Sequence, residues 1–242
     1  MTASAAHAAA RGDGAAHLIA RPTSAALEAN ATCSPVAILH LDAHCIVAIK
    51  PAGLLTVPGR GAGNNDCLAA RIQARHADAL IVHRLDMATS GLVVLARGAA
   101  AHRHLGMAFA ARAVEKAYVA IVDGLVEADT GEIDLPLIAD WPNRPRQIVD
   151  LHQGKSSLTR YRVLARDVQA GRTRIELMPV TGRSHQLRVH LQALGHPILG
   201  DALYAPPSVQ AAVDRLLLHA TALSFPHPDS GARAEFASAA PF

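Results

Sequence analysis

One tryptophan, three tyrosines and four phenylalanines are all the aromatic rings in 242 residues. That is too few for an unspecific single-strand binder built on a row of stacking rings. Cysteine is scarcer still. Cys33, Cys45 and Cys67 are odd in number and lack Cys-x-x-Cys spacing, which argues against a disulfide framework or a cysteine zinc site and suits reduced, packed thiols in a cytosolic protein. The fourteen histidines show no His-Glu-x-x-His pattern, so no metal site is expected. Long apolar runs are missing too: no stretch approaches the length that spans a bilayer. The Ala-rich start is broken by His7, Arg11, Asp13 and His17, unlike a secretory signal, and the expectation is a cytoplasmic protein without membrane attachment. The glycines of Pro58 to Asn65 fit neither the dinucleotide fingerprint nor the P-loop.

What is present is apolar mass and arginine. Half of the residues are hydrophobic, enough for a sizeable core in one large domain or two small ones. The net charge of +3 is mild and by itself says little about a nucleic-acid partner. Only three of the 23 basic residues, Lys50, Lys116 and Lys155, are lysine. Guanidinium forks suit phosphates and stack on bases, but coding bias in an alanine-rich chain produces the same preference.

Residues 1–34 lack periodicity and read as a flexible arm, too short for an additional RNA-binding domain; residues 35–242 form the expected folded domain. Val36 to Leu41 and Cys45 to Lys50 read as strands joined by a turn at Asp42, and Asp66 as the N-cap of a short amphipathic helix. A helix is expected over Ala99 to Arg112 and a strand over Lys116 to Val122, whose alternation puts Lys116, Tyr118 and Ala120 on one face. Gly131 to Ile138 reads as an edge strand interrupted by Pro136, followed by a proline-bounded loop with Trp141, which either plugs a small core or touches RNA with Arg144 and Arg146. Ser157 to Leu164 and Thr173 to Val180 alternate as paired strands. Ser184 to Leu194 reads as a helix closed by Gly195, Val209 to Leu217 as another, and Leu218 to Pro226 as a last strand.

One stretch concentrates polarity. Between the apolar pieces Leu80 to Val82 and Leu92 to Ala96, the residues His83, Arg84, Asp86, Thr89 and Ser90 crowd into one connection ending at Gly91. A carboxylate held between apolar flanks is hydrogen-bonded, paired with a cation, or kept for chemistry. Taken alone, Asp86 reads as a turn cap with Arg84 as its surface neighbour.

The order His83-Arg-Leu-Asp-x-x-Thr-Ser-Gly91 resembles the catalytic motif of the RluA family of pseudouridine synthases, which convert uridine in RNA into its C-glycoside isomer. Lys50-Pro-Ala-Gly-Leu-Leu-Thr-Val57 is similar to that family's first motif and Lys116-Ala-Tyr118 to its middle one. Thr181-Gly-Arg-Ser-His-Gln-Leu-Arg-Val-His-Leu191 with Gly195-His-Pro-Ile-Leu-Gly-Asp201 is similar to its third. The resemblance covers roughly Ile38 to Pro228. Within the family, Asp140 to Pro145 and Arg215 to Ala220 look most like the dual-specificity rRNA and tRNA members.

The resemblance implies an α+β fold with a bent, mainly antiparallel central sheet, helices on its outer faces, and Asp86 in a central basic cleft. It implies site-specific isomerisation of uridine in structured RNA, a tRNA anticodon loop and a 23S rRNA hairpin, without a cofactor, by a monomer without an obligate protein partner. Asp86 is then the catalytic carboxylate, either attacking C1′ or taking a C2′ proton. Arg183 is its expected counter-ion, and Tyr118 stacks on the uracil and assists removal of the C5 proton. A uridine in a stem-loop reaches a buried aspartate only by leaving its stack. Arg84 is the expected occupant of the vacated space, with His83, Thr89, Lys116 and Arg188 as further RNA contacts. Two other functions fit the same scaffold. A nucleosidase-type hydrolase needs a second, water-activating carboxylate, which the motifs do not supply; a noncatalytic RNA-binding or ribosome-assembly factor would not need Asp86, Tyr118 and Arg183 intact.

Overall fold

The computed structural model describes residues 36–59 and 65–242; the expected N-terminal arm, Cys33 and most of the glycine loop lie outside the described residues. Strands β1 (Ala37–Leu41) and β2 (Cys45–Lys50) pair antiparallel around Asp42. One Asp42 oxygen accepts the backbone N–H of His44 and Cys45, both at 2.7 Å, the bonding of an Asx turn. The other oxygen accepts from His40 at 2.8 Å and His227 at 2.9 Å, tying the turn to the far end of the chain.

Strand β2 lies against β4 (Ser90–Arg97), and both are almost wholly buried, so each reads as a continuous apolar run without polar alternation. Their alternate side chains serve two cores. Cys45, Val47, Leu92 and Val94 meet Ala101 and Leu105 of helix α2 (Gly98–Ala110). Ile46, Ala48, Val93 and Leu95 meet Leu68 and Ile72 of helix α1 (Leu68–Gln73). The short β3 (Ala79–Ile81) also pairs with β4.

The other strands of this sheet are β5 (Glu115–Asp123), β6 (Thr130–Asp134), β9 (Leu158–Asp167), β10 (Arg172–Pro179), β11 (Leu218–Pro226) and β12 (Arg233–Ala237). They complete a 10-stranded sheet whose path runs β1, β2, β4, β11, β5, β10, β9, β6, with β3 and β12 off it. Its strand pairings are antiparallel except β4 with β11, which touch in parallel at Ser90–His219 and Gly91–Ala220. Gly91 makes that contact possible. At its φ of +117° a Cβ would run into the backbone of Ala220, so glycine is required where the signature segment enters the sheet. Helix α3 (Gln186–Ala193) lays Leu187 and Leu191 on Ile175 and Leu177 of β10 and on Ile198. Among the described residues no helix is long and apolar enough to cross a membrane.

The mixed, mainly antiparallel architecture agrees with expectation; the deviations are local. Pro136 divides the expected edge strand into β6 and β7 (Leu137–Ala139), and β7 forms its own hairpin with β8 (Gln147–Val149), three residues too short to be read from alternation. The helix expected over Val209 to Leu217 is only the turn α4 (Pro207–Gln210). The Leu217 N–H binds the Leu199 carbonyl at 3.0 Å and Leu216 and Leu217 enter the core, so tertiary contacts outcompete helix propensity. Strand β12 was not expected at all; it folds back along β11 from the turn at His227.

Candidate active site

Asp86 stands on the connection from β3 to β4, and the segment Lys50 to Thr56 holds the backbone on both sides of it. On one side the Thr56 hydroxyl donates to the Leu85 carbonyl at 2.7 Å and accepts the Leu85 N–H at 3.2 Å. On the other, the Met87 carbonyl accepts the Gly53 N–H at 2.9 Å and the Lys50 ammonium at 3.0 Å. Lys50 is fully buried, with the carbonyls of Pro51 and Leu54 at 2.8 and 2.7 Å, and burial pushes it down to about 7 against the pull of Asp86. It sets the carboxylate loop from beneath instead of reaching into the cleft. Lys50→Met leaves buried carbonyls without a donor. It is expected to lower stability by roughly 2–4 kcal/mol in urea melts and to slow turnover by loosening Asp86; wild-type stability would contradict this bracing role.

A cleft of ≈ 590 Å³ opens above Asp86. Its wall carries the basic side chains of Arg84, Arg112, Lys116, Arg183 and Arg188, and among the described residues Asp86 is its one carboxylate. The nearest cation is Arg188: its Nη1 lies 3.5 Å from Asp86. The expected pair between Asp86 and Arg183 is not formed. Arg183 is exposed at the mouth, with its Nε donating to the Ser156 carbonyl at 3.2 Å. Arg188, expected at the RNA backbone, is 4% exposed and grips Asp201 with Nε at 2.8 Å and Nη2 at 2.6 Å. This bidentate hold leaves Nη1 for Asp86.

The physical reason is the seat of α3. His185 adopts a left-handed conformation, φ 55°, just before the helix. The buried Gln186 amide then bonds the Leu158 carbonyl and the Thr159 hydroxyl, both at 3.0 Å, while its oxygen accepts from Thr181 at 2.8 Å and from the Arg183 N–H at 3.0 Å. One turn later His190 meets the same Thr159 hydroxyl at 2.9 Å. With Gln186 and His190 bound to β9, Arg188 points inward and Arg183, before the helix, stays at the mouth.

Asp201, Tyr204 and His185 are residues that sequence reasoning missed as site components, although Asp201 and His185 lie inside the quoted motifs. Asp201 is 1% exposed and also accepts the N–H of Leu203 and Tyr204 at 2.9 and 3.1 Å. The Tyr204 ring lies 5.0 Å from the Arg188 guanidinium. Its hydroxyl shares a 2.7 Å hydrogen bond with Nδ1 of His185, whose Nε2 is 3.9 Å from Asp86. Burial lowers the His185 pKa, against the attraction of Asp86, which favours a neutral ring.

Tyr118 lines the cleft from β5, and burial and the charge of Asp86 push its phenol above the usual range, so it stays a protonated donor at neutral pH. Thr89 lies in the floor at 2% exposure. Arg84 is exposed on the rim and forms no ion pair among the described residues. Lys116 is half-buried, 5.9 Å over the Phe109 ring, and burial lowers its pKa. His83 differs from expectation: its Nε2 accepts the Val94 N–H at 3.1 Å, its ring stacks on Phe109 at 4.8 Å, and burial followed by Lys116 pushes it down to about 3. It is a neutral structural ring and not a phosphate-binding cation.

The family described as RNA pseudouridylate synthase matches residues 44–193. The dual-specificity RNA pseudouridine synthase RluA of Yersinia pestis is 51% identical over 205 residues, covering 85% of this chain and 99% of that protein. The protein of the same name from Escherichia coli K12 is 50% identical over 206 residues, covering 85% and 93%. Among solved structures, human RNA pseudouridylate synthase domain containing 1 superposes with a TM-score of 0.72 at 29% identity, covering 86% of this chain and 84% of that one. With Asp86 set among cations in the cleft and these likenesses running along most of its length, the chain belongs to the RNA pseudouridylate synthase family.

Proposed function

We propose that this chain isomerises uridine to pseudouridine at two kinds of RNA site, a tRNA anticodon loop and a 23S rRNA hairpin, with residues 35–242 as the catalytic unit of a cytoplasmic monomer. The observation that carries the reading is Asp86 in a cleft whose wall also carries five basic side chains: a polyanion is drawn in, and among the described residues the wall holds no second carboxylate to activate a hydrolytic water.

The reaction breaks N1–C1′, rotates the freed uracil, joins C5 to C1′, and moves a proton from C5 to a base while N1 gains one, so atoms balance without a cofactor. Asp86 acts at the ribose. Arg188, held by Asp201, keeps it ionised and aimed; Tyr118, protonated, packs on the uracil and positions its edge. Arg84, on the rim, fills the stack left by the flipped uridine, and Lys116 and Arg183 contact phosphates. Transcripts of tRNA and of 23S rRNA fragments carrying tritium at uridine C5 test this: release from both is expected. Release from one would reduce the assignment to single specificity, and release from neither, with tight binding, would favour the assembly factor.

A further inference from the structure

The β7–β8 hairpin carries the chain's one tryptophan, and that ring is 66% exposed. It plugs no core. The Arg144 guanidinium lies 3.1 Å over the indole, so one face is covered by a cation while most of the ring still meets water. An indole held in solvent on an ordered turn, with a guanidinium behind it, offers its free face to a planar partner. The turn is held by its own bonds: Asp140 N–H to the Arg146 carbonyl at 3.0 Å, Asn143 N–H to the Asp140 carbonyl at 3.1 Å, and the Asn143 amide to the Asp140 carboxylate at 2.9 Å. That last bond occupies the acidic group beside the ring.

The base of the hairpin is joined to the catalytic centre. Leu137 packs with Val189 of α3 and with Tyr204. The Gln147 N–H donates to the Tyr204 hydroxyl at 2.8 Å, the hydroxyl that also binds His185 beside Asp86. The Arg146 guanidinium lies 5.4 Å from the Tyr204 ring. Resting on the function proposed above, we infer that Trp141 and Arg144 form a stacking platform for an unpaired base of the substrate loop outside the flipped uridine, received on the indole face opposite Arg144. Arginine behind an indole makes the pair cationic, which suits a base linked to phosphate. The shared Tyr204 hydroxyl ties the position of that platform to the position of His185. Loop recognition and target placement are thereby set by one rigid unit.

Because Trp141 is the only tryptophan, its emission reports on the platform without a label. The Asp86→Asn protein, which holds RNA without turnover, is titrated with a stem-loop RNA and with a fully paired duplex of the same length, binding being followed independently by filter retention. Quenching by the stem-loop and not by the duplex is expected. Trp141→Ala in the otherwise unaltered enzyme is expected to raise KM for stem-loop RNA roughly tenfold, the size of one lost base–ring stack, with kcat retained and Trp141→Phe restoring most of the loss. Retained stem-loop binding with unchanged emission, or an unaltered KM for Trp141→Ala, would overturn the platform. Quenching without tritium release from wild-type enzyme would leave the platform standing and remove the catalytic reading instead.

Discussion

Asp86→Asn is expected to abolish tritium release from uridine-labelled RNA, lowering kcat by about 10⁴-fold or more, the scale seen when a nucleophile or essential base is removed. The substitution keeps the side chain's shape. The loop beneath it is held by the backbone bonds of Leu85 and Met87 to Thr56, Gly53 and Lys50, none of which involves the carboxylate, so the site remains assembled. Arg188 keeps Asp201 as its partner, so no buried cation is stranded and the melting temperature should move by only a few degrees. RNA affinity should hold or improve, since an anion has been removed from a cleft that receives phosphates. Continued release by the variant would transfer the catalytic role to another group.

Arg188→Met should damage both activity and the fold. It removes the cation beside Asp86 and leaves Asp201, 1% exposed, as a buried carboxylate without its bidentate partner. Breaking a buried pair from one side costs about 3–5 kcal/mol, which for a chain of this size is roughly 6–20 °C in Tm. The double variant Arg188→Met with Asp201→Asn removes both charges. Thermal melts should recover most of the lost stability while tritium release stays absent, separating the structural part of the arginine's role from the electrostatic one. Arg183→Ala, by contrast, should change stability by less than about 0.5 kcal/mol, because its side chain lies exposed on the cleft mouth. A large destabilisation from Arg183→Ala with a small one from Arg188→Met would reverse the assignment.

The signature segments were legible because each has a local reason. Gly91 is demanded by the approach of Ala220, Asp42 by a tight turn, and the apolar runs of β2 and β4 by burial on both faces. The short β8, β12 and the truncated α4 were not legible, because three-residue pairing and late backbone bonds such as Leu217 to Leu199 depend on segments distant in the chain. The choice between Arg183 and Arg188 failed for a related reason. Both are arginines of one motif, and their direction is decided by Gln186 and His190 binding Thr159 on β9, a contact between residues about 30 apart.

The reaction class, the mixed sheet and the choice of Asp86 as candidate carboxylate all follow from short-range order: motif spacing, alternation of apolar residues, and turns that only certain side chains permit. Tertiary structure decided which cation faces Asp86, that Lys50 braces the loop from below, that His83 is neutral, and that Trp141 stands in solvent. Burial and ion pairing belong to the space between segments, and a linear pattern carries no record of which charged groups share that space.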